Sequence, residues 1–88
     1  LSKNQMFKIG PNPTSDFLSV SYELNDLSSV IFEVYDINGK KIVEDYRGTQ
    51  IAGLHQFNHD FSQVPDGNYT VVLKTSNHIF KEQIVIKK

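Results

Sequence analysis

Histidines are the side chains here best suited to ligate a metal, and His55 and His59 stand four positions apart. On a helix that spacing would bring both imidazoles to one ion. The residues around them instead alternate as a strand does, with Leu54, Gln56 and Asn58 set against His55, Phe57 and His59. A strand rises about 3.3 Å per residue, so the two rings, although on one face, lie roughly 13 Å apart. Zinc, with bonds of about 2.0–2.1 Å, does not span that gap. Both are expected to be solvated strand histidines, and the third, His78, falls in a turn.

Other chemistry-bearing groups fare similarly. Asp36-Ile37-Asn38-Gly39 has the opening of a calcium loop, but Lys40-Lys41-Ile42-Val43 follows and the later bidentate glutamate is missing. A hairpin turn accounts for the same residues. Glu44-Asp45 is a carboxylate pair, yet strand neighbours point to opposite faces and do not converge on one substrate atom. No serine occupies a glycine-flanked elbow, and no glycine-rich phosphate loop is present. The sequence therefore nominates no catalytic, cofactor-binding or metal site. Tyr35, Tyr46 and Phe57 have mixed or polar neighbours in register and are the candidates for a sugar-binding aromatic strip. Packing against a sheet face is the weightier reading, because surface aromatics commonly have no function.

The elements that hold these residues read as strands throughout. Leu18, Val20 and Tyr22 alternate with Ser19, Ser21 and Glu23, and Val30, Phe32 and Val34 share a face opposite Glu33 and Tyr35. Tyr69, Val71 and Leu73 form another such face, and Phe80, Ile84 and Ile86 mark a last strand. Asn38-Gly39 suits a type I′ hairpin turn, Arg47 to Gly53 reads as a loop with two glycine breakers, and Pro65-Asp66-Gly67 as a tight turn. Pro11 and Pro13 flank Asn12, so that segment lacks two backbone donors and must leave any ladder. Met6 to Ile9 suits a short strand before it. Seven short strands with turn signals between them predict an all-β fold, a seven-stranded antiparallel β-sandwich of immunoglobulin-like type.

Composition narrows the function classes. Eighty-eight residues make one domain with little room for a deep cavity. Nine basic and ten acidic side chains, net −1, lack the basic footprint of a nucleic-acid binder or of a protein held to anionic lipid. No apolar run reaches the roughly 18 residues of a membrane span. Without cysteine there is no thiolate chemistry and no disulfide, so stability must come from packing. The chain opens on Leu1 with no basic-then-apolar leader and reads as a piece of a longer protein. Residues 1–5 are expected to be a linker end, and residues 6–88 the domain.

Four motifs in order carry a family resemblance. Pro11-Asn12-Pro13-Thr14 precedes Phe17-Leu18-Ser19-Val20, and Val34-Tyr35-Asp36-Ile37-Asn38-Gly39-Lys40-Lys41-Ile42-Val43 follows. Then come Val64-Pro65-Asp66-Gly67-Asn68-Tyr69-Thr70-Val71 and, with Lys81, the closing Ile84-Val85-Ile86-Lys87. Together, from about Met6 to Lys88, they resemble the C-terminal sorting domain of the type IX secretion system of Bacteroidota. The main departure is Val64 where that family usually has leucine, and the closing double lysine is not diagnostic of it. The resemblance implies a non-enzymatic label, needing no cofactor, on an N-terminally fused cargo. It implies type IX translocon and shuttle components as partners, and a sortase-like protease that removes the label at the outer membrane.

Such a label offers strand edges to a partner. A receptor strand pairing with the terminal strand would draw affinity from main-chain hydrogen bonds and specificity from alternate side chains, with Lys81, Ile84, Val85, Ile86 and Lys87 as the expected contacts. Exposed edges also leave a strand-paired dimer open. Gly67 is expected to need positive φ after Pro65-Asp66, and Tyr69 to anchor the core below that turn. Leu1 to Gln5 would lie near the cleavage site. A fibronectin-like spacer and a carbohydrate-binding accessory module are the competing readings.

Overall fold

Period-two alternation with β-branched and aromatic residues gives a strand wherever one face can be buried, and seven form among the described residues. They are β1 (Phe7–Gly10), β2 (Phe17–Leu24), β3 (Ser28–Tyr35), β4 (Lys41–Gln50), β5 (Gly53–Asp60), β6 (Gly67–Thr75) and β7 (Ile79–Ile86). The computed structural model describes residues 6–88, so the expected linker end lies outside the described residues. All strand pairings are antiparallel, in sheets ordered β1-β2-β5 and β4-β3-β6-β7. An immunoglobulin constant-type sandwich keeps its fourth strand beside the first, second and fifth. Here β4 has crossed to the other sheet.

The expected inner faces are the observed ones. Leu18, Val20 and Tyr22 of β2, Val30, Phe32 and Val34 of β3, and Val71 and Leu73 of β6 are buried together with Ile84 and Ile86 of β7. Phe61, from the loop after β5, joins them fully buried, its N–H held by the Asp16 carbonyl at 2.6 Å. Phe7 stacks on Phe80 with 5.0 Å between centroids, linking the two sheets. Burying each side chain of this size contributes about 1.5–3 kcal/mol, and in this cysteine-free chain that is the main stabilising term.

Two local expectations are corrected. The β3–β4 hairpin forms, but not through a type I′ turn: Asn38 has no positive φ, and only Gly39 does, at +84°. The Asp36 carboxylate accepts N–H bonds from Asn38 and Lys40, both at 2.9 Å, while Gly39 N–H reaches the Asp36 carbonyl at 3.0 Å. That pattern is a type I turn followed by a left-handed glycine. Second, Arg47 to Gly53 is not a loop. β4 runs on to Gln50, with a register shift opposite Ser29–Ile31 where Gly48 takes φ +82°. The glycine marks a bulge inside a strand rather than the end of one.

The turn into β6 is closed by its own tyrosine. Gly67 has φ +157°, and a Cβ there would lie 3.4 Å from the Tyr69 ring. The Tyr69 hydroxyl donates back to the Pro65 carbonyl at 2.7 Å, much as the tyrosine corner of immunoglobulin-like sandwiches does. Tyr69→Phe should therefore cost about 1 kcal/mol and lower the melting temperature by roughly 4–8 °C. A thermal melt followed by circular dichroism checks this; an unchanged midpoint would mean that the bond contributes nothing net.

Candidate functional site

β7 is an edge strand, with β6 on one side and, among the described residues, no strand on the other. Its alternation divides the expected contact residues. Ile84 and Ile86 point inward, each 1% exposed, while Val85 is 40% exposed and Lys81 and Lys87 are open to solvent. The isoleucines hold the strand in the core, so Lys81, Val85 and Lys87 are the members of that set that lie exposed on the surface.

Pro11-Asn12-Pro13-Thr14 lies along the C-terminal half of this edge. Both X–Pro bonds are cis. The Asn12 side-chain amide behaves like a strand residue: Nδ2 donates to the Gln83 carbonyl at 3.3 Å, and Oδ1 accepts from Val85 N–H at 2.9 Å. Thr14 continues the ladder, giving its N–H to the Val85 carbonyl and accepting from Lys87 N–H, both at 2.9 Å. The buried Thr14 hydroxyl donates to the Phe17 carbonyl at 2.7 Å, fixing the strap to the start of β2. Beyond β7, Lys88 Nζ donates to the carbonyls of Ser62 and Val64 at 3.0 and 2.8 Å, next to the Pro65 turn. Proline on both sides of Asn12 removes two of the segment's N–H groups, which suits a short segment that must not extend the sheet.

The outer face of the four-stranded sheet continues from this edge. Glu44, Glu33, Val72 and Lys81 are successive cross-strand neighbours on it. Glu33 is 2% exposed although it faces away from the sandwich interior, because Lys41, Lys74 and Tyr35 close over it. Lys41 Nζ is 3.0 Å and Lys74 Nζ 3.3 Å from its oxygens, and the Tyr35 hydroxyl donates at 2.9 Å. Burial, the largest single influence on this carboxyl, favours the neutral form. The bonds from Lys41, Tyr35 and Lys74 together outweigh it and hold the pKa below the ordinary glutamate value. Glu33, Tyr35 and Lys74, with Lys81, Val85 and Asn12, line an open depression of about 910 Å³.

The other sequence candidates are dispersed. Phe57 faces inward, edge-on to Phe32 at 5.1 Å with the Arg47 guanidinium 3.8 Å above its ring. Tyr35 is tied to Glu33, and Tyr46 stands 64% exposed on β4, so the three aromatics form no common strip. His55 and His59 do share a face of β5, but it is the inner one, which corrects the solvated reading. His55 stacks on Tyr22, and His59 packs against Phe32 and Phe61. Burial lowers the His59 pKa.

These features define a class: a small antiparallel β-sandwich whose exposed chemistry is a partly strapped strand edge and a lysine-bearing sheet face. The family model described as the secretion system C-terminal sorting domain matches residues 8–87. The chain belongs to this family, and is a C-terminal sorting signal of the type IX secretion system. No curated protein matches the chain. Membership implies a fused cargo, interaction with the secretion system, and secretion across the outer membrane to the surface.

The strap and the buried carboxylate each predict a measurable loss. Asn12→Ala removes two hydrogen bonds at a partly solvated edge, for about 1–2 kcal/mol. Its specific signature is faster amide exchange at Val85 with little change at Lys87, which Thr14 still holds. A folded-state pKa held down at Glu33 means stability present above the unfolded value near 4.3 and lost as pH falls through the folded one. Melting temperature should therefore drop as pH falls below about 4.5, and Glu33→Gln should flatten that part of the profile. An equal acid slope in both proteins would remove Glu33 as a source of it.

Proposed function

We propose that the domain is a non-enzymatic address label, read in the periplasm through the exposed side of β7 and the adjoining sheet face. It is carried at the C-terminal end of its cargo to the type IX translocon by shuttle components. A sortase-like protease removes it at the outer membrane of a bacterium of the Bacteroidota. The family match over residues 8–87 is the observation that carries this reading. Lys81, Val85 and Lys87 support the recognition role because they are the exposed residues of the terminal motif, and a strand edge offers main-chain bonds alongside them. The non-catalytic role is supported by what the reactive groups already do: Glu33 is saturated by lysines and the β5 histidines pack on aromatic rings. The spacer and sugar-binding readings have no comparable support, since Phe57 faces the interior.

Export is the decisive test. Residues 1–88 are fused behind a signal peptide and a fluorescent protein, in strains with and without a working type IX system. Fluorescence should reach the surface or medium only where the system works. Lys81→Ala combined with Lys87→Ala should cut export several-fold while the domain still melts normally. Undiminished export of that folded variant would move recognition away from β7. Deleting Ile84 to Lys88 is a poorer arm, because it removes two core isoleucines.

A further inference from the structure

The β7 edge is divided. Asn12 and Thr14 satisfy the Gln83 carbonyl, both main-chain groups of Val85 and the Lys87 N–H. Main-chain groups of alternate residues in a strand point the same way. The N–H and C=O of Ile79 and Lys81, with the N–H of Gln83, therefore face outward, and among the described residues no strand lies beside them. An edge this short, with a lysine at its centre, resists casual pairing but accepts a short, matched segment.

Charge decides what matches. Among the described residues Lys81 forms no salt bridge, and the nearest carboxylate along its row, Glu33, is already shared by Lys41 and Lys74. Its immediate neighbour, Val72, is buried and apolar. A strand added outside β7 would place one side chain next to Lys81 on this face, and another, two residues away, next to Ile79, which is 61% exposed. We propose that the open half of the β7 edge, Ile79–Gln83, docks an extended segment of a partner protein carrying an acidic residue two positions from an apolar one, and that the Asn12 strap confines it to that register. This rests on the recognition reading given above and specifies the partner's chemistry.

The test uses a capped peptide, Val-Thr-Glu-Thr-Val, which reads alike in both strand directions, and its twin with lysine in place of glutamate. On the isotope-labelled domain, the acidic peptide should shift the amides of Ile79 to Gln83 and slow exchange at Lys81 and Gln83, leaving Val85 unaffected. Added salt should weaken it, since the pair is exposed. Lys81→Glu should weaken the acidic peptide about tenfold, or about 1.4 kcal/mol, and favour the lysine twin, with Lys81→Gln intermediate. In Asn12→Ala the protected stretch should extend to Val85. Equal binding of both peptides, shifts confined to other surfaces, or self-association through this edge without peptide would each overturn the proposal. A domain that is exported yet ignores the peptide sinks the docking proposal alone. One that binds it but is not exported sinks the sorting reading alone.

Discussion

Main-chain hydrogen bonding along β7 is the constraint around which the rest of the molecule is arranged. An edge strand carries a row of unpaired groups, and water or a partner must satisfy them. Here one side of the strand is paired with β6 over its whole length. The other is half covered by a segment that cannot itself become a strand. Asparagine is suited to that task because its side-chain amide has a donor and an acceptor in the geometry of a peptide bond. A backbone residue placed there would invite the next strand; a side chain ends the sheet. The motifs at the two ends of the domain are thus a single structural unit, and the inward isoleucines fix its position.

The sheet face beside this edge carries a second constraint, the buried Glu33. A carboxylate removed from water costs several kcal/mol unless its lone pairs are filled, and two lysines with a tyrosine hydroxyl fill them. The arrangement fixes Lys41 on β4, Tyr35 on β3 and Lys74 on β6 relative to one another, across three strands. It keeps an otherwise apolar patch around Val72 from being a free hydrophobic surface. It also occupies two cations, so that among the described residues Lys81 is left as the lysine without a salt bridge in the open half of the edge.

Much of the fold was legible because period two is a local signal and the β-branched residues carry it. The inner faces of β2, β3, β6 and β7 follow from alternation alone. What was misread depended on interactions that alternation does not encode. At Asn38-Gly39 the dipeptide suggested one turn, but the Asp36 carboxylate captured two N–H groups and favoured another. Gly48 looked like a breaker because a glycine in a bulge and one in a loop are the same letter. On β5 the alternating sets were identified correctly, yet the face with two histidines looked solvated; its burial comes largely from Tyr22 and Phe32, distant in sequence. The strap was the least legible. Its prolines announced a departure from the ladder, but its partners lie 71 and 73 residues away.

A domain of this size cannot build a deep pocket, and the consequences for recognition are physical. Under the docking proposed for β7, specificity comes from a strand edge, where main-chain bonds are the same for every sequence and only a few side chains discriminate. An edge left entirely open would pair with any extended chain, including its own kind. Covering half of it with Asn12 and Thr14 reduces that indiscriminate component, and in the proposed docking Lys81 in the remainder makes charge the discriminating term. On that proposal, the same residues that guard the edge against indiscriminate pairing also narrow what the domain recognises. That economy suits a label, which has to be ignored by most proteins and read by few.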